Sequence, residues 1–169
     1  MQSKKSLNSS STVVLSNLLY KIPHIETLKT LNTVLAEDSS SANNRDRNYI
    51  GYLDGFLKDN GLHIILQVIL NRIESGRVPN DSHKLVFQIF DLAILYECVQ
   101  CCKSISRSEN GMNHLILFPD LISAIARSLN FQCKILSMSI IDLFDHCICQ
   151  SMEFATVVYG GIQVFVHAC

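Results

Sequence analysis

Two long stretches of this sequence are apolar over nearly the whole circumference of a helix, and they limit the folds open to the chain. The first extends from about residue 84 to residue 106, and the second from residue 133 to residue 149. Because a helix that is apolar all round has to be covered on several sides, both predict inner helices. Shorter segments at 62–73 and 120–129 precede them, with apolar residues every three or four positions. The order of a short amphipathic helix and a long apolar one therefore occurs twice, which is typical of a helical-repeat stack.

Capping and turn residues predict the boundaries in the first half of the chain. Pro23 suits the first turn of a helix, and the polar segment 37–48 predicts a loop after it. A helix at 49–58 is expected to stop at Asn60-Gly61. The segment 75–80, which contains a glycine and a proline, predicts a turn.

Breaker residues divide the second half in the same way. Asp81 or Ser82 is expected to cap the first long helix, and Asn110-Gly111 to end it. The stretch 154–169 is rich in β-branched residues and contains a Gly-Gly pair, so alone it reads as two strands. In an otherwise helical chain we expect short helices on either side of that pair.

Composition and charge exclude several classes of protein. Hydrophobic residues make up 48% of the 169 residues and charged residues 17%, which excludes disorder over most of the chain. Only the polar, Ser-rich residues 1–11 are expected to form a disordered lead-in, which leaves one domain over 12–169. A formal net charge of -1 gives no basic excess for nucleic acid, and no apolar run reaches the length of a membrane span. Seven irregularly spaced cysteines do not predict a disulfide framework, so we expect a cytoplasmic protein.

No motif predicts catalysis or a cofactor. The six histidines are scattered, and phosphate-binding, nucleophile-elbow and zinc-protease motifs are absent from the sequence. Cys98-x-x-Cys101, together with His146 and Cys147-x-Cys149, leaves structural zinc as an alternative. Because both sets fall inside long apolar helices, we favour cysteines packed as small hydrophobic residues. The sequence therefore predicts a non-enzymatic protein without a bound metal.

The segment from Tyr96 to Lys103 (YECVQCCK), followed by Asn110-Gly111-Met112, resembles the armadillo-like regulatory region of diaphanous-related formins. That family has a helix of the pattern Glu-x-x-Arg/Gln-Cys-x-Lys, then an Asn-containing turn that ends in Gly and an aliphatic residue. The matching positions are Glu97, Gln100, Cys101, Lys103 and Gly111. The resemblance extends as an ordered series over about residues 23–160. It implies an all-α, armadillo-like helical-repeat solenoid, a right-handed superhelical stack that is expected to be truncated at the C-terminus.

The resemblance also implies a regulatory function. In such formins an active Rho-family small GTPase binds the N-terminal region, and an autoregulatory segment of the same protein docks as an amphipathic helix in the concave groove. GTPase binding competes with that helix and shifts the population to an open state. The implied location is cytoplasmic and cytoskeleton-associated. Actin would be contacted only through formin modules that this sequence lacks.

Five positions take roles from the resemblance. Asn43 and Asn44 fall in a loop that touches the GTPase in the family, although an ordinary solvated loop is the alternative. Lys103 matches a basic position of the groove, or is a solvated lysine, and Arg107 stands where the family often has Asn. Asp145 falls where the family has a small apolar residue under the docked helix, so a carboxylate there would lose water without gaining a partner. That departure counts against a working groove and leaves a second hypothesis, an armadillo or HEAT-type peptide-binding scaffold unrelated to GTPases.

Overall fold

Helices dominate the part of the chain that the computed structural model describes, which is residues 25–41, 51–78, 81–129 and 133–167. The elements in chain order are α1 (Ile25–Ser41), α2 (Tyr52–Lys58), α3 (Gly61–Gly76), β1 (Arg77–Val78), β2 (Asp81–Leu85), α4 (Ile89–Ser106), α5 (Glu109–Ile116), α6 (Pro119–Arg127), α7 (Lys134–Gln150) and α8 (Met152–His167). The expected all-α class is confirmed, with one short antiparallel strand pair between α3 and α4. The expected lead-in at 1–11 and a loop over most of 37–48 lie outside the described residues.

The helices pack in two rows. In the first row α1 contacts α4 and α4 contacts α7, and in the second row α3 contacts α6 and α6 contacts α8. The short helices α2 and α5 contact each other. Helix α2 also contacts α1 and α3, and α5 also contacts α4, α6 and α8. One continuous hydrophobic cluster runs between the rows. In the described part of the chain, no helix combines the length and the apolar character needed to cross a bilayer.

The long apolar helix α4 is the central one, as its composition predicts. It packs against α1, α3, α5 and α7. The same expectation is wrong for α7, because several large apolar side chains of that helix are exposed. A helix that is apolar on all sides is thus expected to be buried. Its sequence does not show whether other helices of the same chain bury all of its sides.

The start of α4 differs from the prediction. Asp81 and Ser82 belong to strand β2, and the helix begins at Ile89. Its cap is Gln88, whose side chain and backbone form a capping box with Asp91. Asp91 also accepts a hydrogen bond from Arg72 Nη1 of α3 at 3.1 Å, so a contact distant in sequence fixes this boundary.

Three glycine positions bear on the helix boundaries. Asn60, with φ of 60°, takes the left-handed conformation, and Gly61 opens α3 where a Cβ would overlap the ring of Phe56. Asn110-Gly111 was expected to end a helix but lies inside α5. The expectation of two short helices on either side of Gly160-Gly161 is wrong, because the single helix α8 continues from Met152 to His167 through that pair. Phe154 of this helix is fully buried.

The helix expected after Pro23 is α1, and it extends further than predicted. Instead of ending near residue 37, it continues to Ser41. The carboxylate of Asp38 accepts a hydrogen bond from the backbone N–H of Leu53 at 2.8 Å, which ties the last turns of α1 to the start of α2. Asp38, which the sequence predicts to lie in a loop, is therefore a helical residue that connects α1 to α2.

Candidate functional site

Three of the five predicted site residues lie at or near the contact between α4 and α7. Lys103 is half-buried on α4, and its Nζ lies 3.5 Å from Asp142 Oδ2 of α7. Arg107 caps the C-terminal end of α4 and is exposed, and Asp145 is exposed on α7. The two residues expected to touch a GTPase, Asn43 and Asn44, lie outside the described residues.

Polar pairs hold α4 and α7 together above the core. One turn before Lys103, Gln100 Nε2 donates a hydrogen bond to Ser139 Oγ at 2.5 Å. Lys103 and Asp142 form the second pair, in which the lysine side chain is 26% exposed and the carboxylate side chain 62%. An ion pair this open to solvent contributes at most about 1 kcal/mol. Its main consequence is to occupy Asp142 and orient α7 against α4.

The side of α7 that points away from α4 is the main surface that the sequence did not predict. Met138, Ile141, Asp145 and Ile148, here called the α7 outer face, are all exposed, with 63%, 58% and 37% of Met138, Ile141 and Ile148 accessible. At about 100° per residue, Ile141 lies about 200° around the helix from Ser139, which faces α4. Aliphatic side chains therefore line a surface that no described element covers.

The opposite end of the first row has a different character. On α1, Leu28, Leu31 and Leu35 are fully buried. The exposed positions of that helix include Glu26 and Lys29, whose charged groups lie 3.1 Å apart. Of these two helices, α7 has large exposed apolar side chains, and among the residues whose burial is described α1 has none.

The exposed position of Asp145 bears on the expected loss of groove function. In the chain alone its carboxylate keeps its water, so its presence on α7 carries no desolvation cost. The cost arises only when a partner covers it without an opposing donor or cation. The presence of Asp145 on α7 therefore does not by itself exclude a partner at this face.

A cleft of about 510 Å³ lies beside these residues, between the end of α4, α5, the end of α7 and the start of α8. Its walls are formed by Ser106, Arg107, Ser108, Glu109, Met112, Asn113, Ile116, His146, Gln150, Ser151 and Glu153. Its hydroxyl groups are engaged in holding helix ends: Ser108 Oγ accepts from the N–H of Gly111, and Ser151 Oγ from that of Phe154. The Nε2 atom of His146 is buried and has no hydrogen-bond partner among the described residues. The cleft thus holds no acid or hydroxyl paired with that nitrogen.

Four thiols are buried in the described part of the chain, Cys98, Cys101 and Cys102 on α4 and Cys147 on α7, and we refer to them as the buried thiols. Burial raises the pKa of Cys98 and of Cys147 to about 12, and that of Cys101 and Cys102 well above the ordinary value. These groups are therefore neutral at physiological pH. Cys101 Sγ donates to the carbonyl of Leu28 at 3.6 Å, which links α4 to α1. Within the described ranges, no three His, Cys, Asp or Glu side chains converge as ligands for a metal ion.

Comparison of the chain with protein-family models, with curated proteins and with solved structures found no match in any of the three.

Proposed function

We propose that the chain is a non-catalytic, armadillo-like helical-repeat module that binds other proteins. The order of helices supports this proposal. A short helix of 7 residues, α2, precedes α3 and the 18-residue α4, and a short helix of 8 residues, α5, precedes α6 and the 17-residue α7. Each unit of three adds one helix to either row, which is how a repeat stack grows.

The observation that carries the proposal is the α7 outer face. Single exposed apolar residues are common on protein surfaces, whereas a contiguous row of them marks an interaction site. Three aliphatic side chains on one helix, beside the half-buried Lys103, form a surface suited to an amphipathic helix. The same region contains all the described residues to which the formin resemblance gives a role in a groove.

We further propose the regulatory function of a diaphanous-related formin. In that function an active Rho-family GTPase binds near Asn43 and Asn44 and displaces an autoregulatory helix, and the release controls actin cytoskeleton organisation. The proposal is supported by the ordered residue series that includes Glu97, Gln100 and Lys103. In the fold, Glu97 is buried while Gln100 and Lys103 contact α7, so the series includes side chains on two sides of α4.

Nucleotide-dependent binding tests the GTPase part of this proposal. The 169-residue chain is titrated with Rho-family GTPases loaded with GDP or with a non-hydrolysable GTP analogue, and heat is measured by calorimetry. We expect binding of the GTP-loaded form, with weaker binding by a double variant carrying Asn43→Ala and Asn44→Ala. Asn113→Ala, an exposed asparagine of α5, is the matched control and is expected to bind like the wild type. Equal binding of both nucleotide states, or none, would contradict the GTPase function.

An armadillo or HEAT-type scaffold unrelated to GTPases is the second candidate. It is favoured by the α7 outer face itself, which provides a docking surface whatever binds elsewhere. Failure of the GTPase titration combined with helix binding at α7 would select this candidate.

A further inference from the structure

We propose that the α7 outer face pairs lengthwise with a single amphipathic helix that carries a lysine or arginine opposite Asp145. This inference rests on the helix-docking part of the proposed function and adds the chemistry and register of the docked helix. Four exposed side chains of α7, and the ion pair between Lys103 and the exposed Asp142 beside them, carry the argument.

The spacing of the α7 outer face determines the shape of its partner. Met138, Ile141, Asp145 and Ile148 follow one another at intervals of three, four and three residues. Alternation of three and four is the spacing of a two-helix seam, in which side chains of one helix fit between those of the other. From residue 138 to residue 148 the seam is about 15 Å long, enough for about one and a half heptads of a helix at a small crossing angle. A strand or an irregular peptide does not match this spacing along its whole length.

The charge at the centre of the seam determines what the partner carries. Asp145 is exposed, and among the described residues it forms no ion pair, because Lys103 is directed to its neighbour Asp142. An apolar residue placed over Asp145 would remove water from the carboxylate without providing a hydrogen bond or an opposite charge, which is costly in free energy. A lysine or arginine at that position supplies a charge-assisted hydrogen bond in the same space. A single polar residue inside an apolar seam also fixes register, since only one alignment pairs it.

The same charge argues against a second copy of this chain as the occupant. In an antiparallel pair of α7 helices, the two Asp145 side chains would face aliphatic residues, and in a parallel pair they would face each other. Both arrangements leave two carboxylates without cations. The charge of Asp145 therefore favours a different, basic partner helix over self-association.

Three designed peptides test the proposal. Each consists of three heptads of a helix-forming sequence with leucine at the seam positions, and they differ only at the central position, which is lysine, glutamate or leucine. Binding to the 169-residue chain is measured by fluorescence anisotropy. We expect the lysine peptide to bind at least about tenfold more tightly than either of the others, a difference of about 1.4 kcal/mol.

Charge reversal provides the decisive control. Asp145→Lys should transfer the preference to the glutamate peptide, which a merely structural effect of the substitution cannot do. Ile141→Glu should weaken all three peptides at least about tenfold, whereas Leu117→Glu, at another exposed apolar side chain, should leave binding unchanged. Both of these positions are largely exposed, so both variants are expected to keep the wild-type circular dichroism spectrum.

The outcomes separate this inference from the proposed function. Tight binding of all three peptides without a lysine preference, or a preference that Asp145→Lys does not reverse, overturns the inference and leaves helix docking standing. Binding of none of them overturns the inference together with helix docking at α7. Self-association that Ile141→Glu abolishes overturns the inference alone, because a second copy of this chain would then be the occupant. The GTPase titration is unaffected by either result, so the regulatory function stands or falls on its own measurement.

Discussion

Gly111 occupies a point on α5 where a methyl group has no room, so Gly111→Ala is expected to destabilise the fold. A Cβ at this position would overlap the carbonyl oxygen of Ile105, and would lie 2.8 Å from both Ile105 Cγ2 and Ser108 Oγ. A flexible side chain could move aside, but a backbone carbonyl in the last turn of α4 cannot. Ser108 Oγ also accepts the hydrogen bond from the Gly111 N–H at 2.9 Å, so the same methyl group displaces the cap of α5.

The expected loss for Gly111→Ala is about 1–3 kcal/mol in the free energy of unfolding. Overpacking a close contact costs about 1–3 kcal/mol, and a lost serine cap costs about 1 kcal/mol. The helix propensity of alanine opposes both with a gain of about 1 kcal/mol. Packing and capping outweigh propensity here because the obstructing atom belongs to the backbone.

Urea unfolding followed by far-ultraviolet circular dichroism measures this loss, and Gly160→Ala is its matched control. Gly160 also lies within a helix, but a Cβ built there meets nothing within 4 Å. With no clash, propensity alone predicts a gain of up to about 1 kcal/mol. The two Gly→Ala changes should therefore have opposite signs. A Gly111→Ala variant as stable as the wild type, beside a stabilised Gly160→Ala variant, would refute the close contact between α5 and α4.

Three other measurements test the core and its charges. A thiol reagent at neutral pH should modify the exposed Cys149 faster than any of the buried thiols, and peptide mapping that finds the reverse order would contradict their burial. The free energy of unfolding should fall as the pH rises from 9 towards 12. The folded chain keeps thiol protons that the unfolded chain releases in this range, such as that of Cys98, whose pKa in the fold is about 12. Cys98→Ala should make the fall shallower, and an equally steep fall in that variant would count against this explanation. Asp91→Ala should cost about 2–4 kcal/mol, since it removes both a capping carboxylate and the partner of a mostly buried arginine, whereas Glu26→Ala at an exposed pair should leave the urea midpoint unchanged.

Apolar spacing predicted most of the helices but not all of their ends. The stripe at residues 62–73 is α3, and Pro119 at the first turn of α6 agrees with the expected start there. The start of α4 could not be read locally, because Asp91 joins the cap to Arg72 nineteen residues earlier. Gly111 misled the prediction for a related reason: a glycine inside a helix can serve close packing as well as chain reversal, and only the neighbouring carbonyl distinguishes the two.

The candidate site was predicted in part. Lys103 and Asp145 were identified through the formin resemblance, and they lie on the facing helices α4 and α7. The aliphatic members of the α7 outer face were not identified, because a sequence that is apolar all round gives no signal for which side its own chain leaves uncovered. The alternation of three and four residues through Met138, Ile141, Asp145 and Ile148 was the available signal. It becomes informative only when Asp145 is taken as a member of the seam.

The two ends of the first row show why a partner helix would add at α7 and not at α1. Covering α1 would bury charged groups such as those of Glu26 and Lys29, which are largely exposed and gain little from each other in water. Covering α7 would remove aliphatic surface from water, at about 25 cal/mol for each Å² buried, and would leave one carboxylate to be matched. Burial of apolar surface therefore favours association at α7, whereas covering α1 would provide no such contribution from these charged groups. Asp145 then determines which helices bind there most tightly. For a helix without a cation opposite Asp145, the cost of desolvating the carboxylate offsets part of the free energy that its apolar side chains contribute.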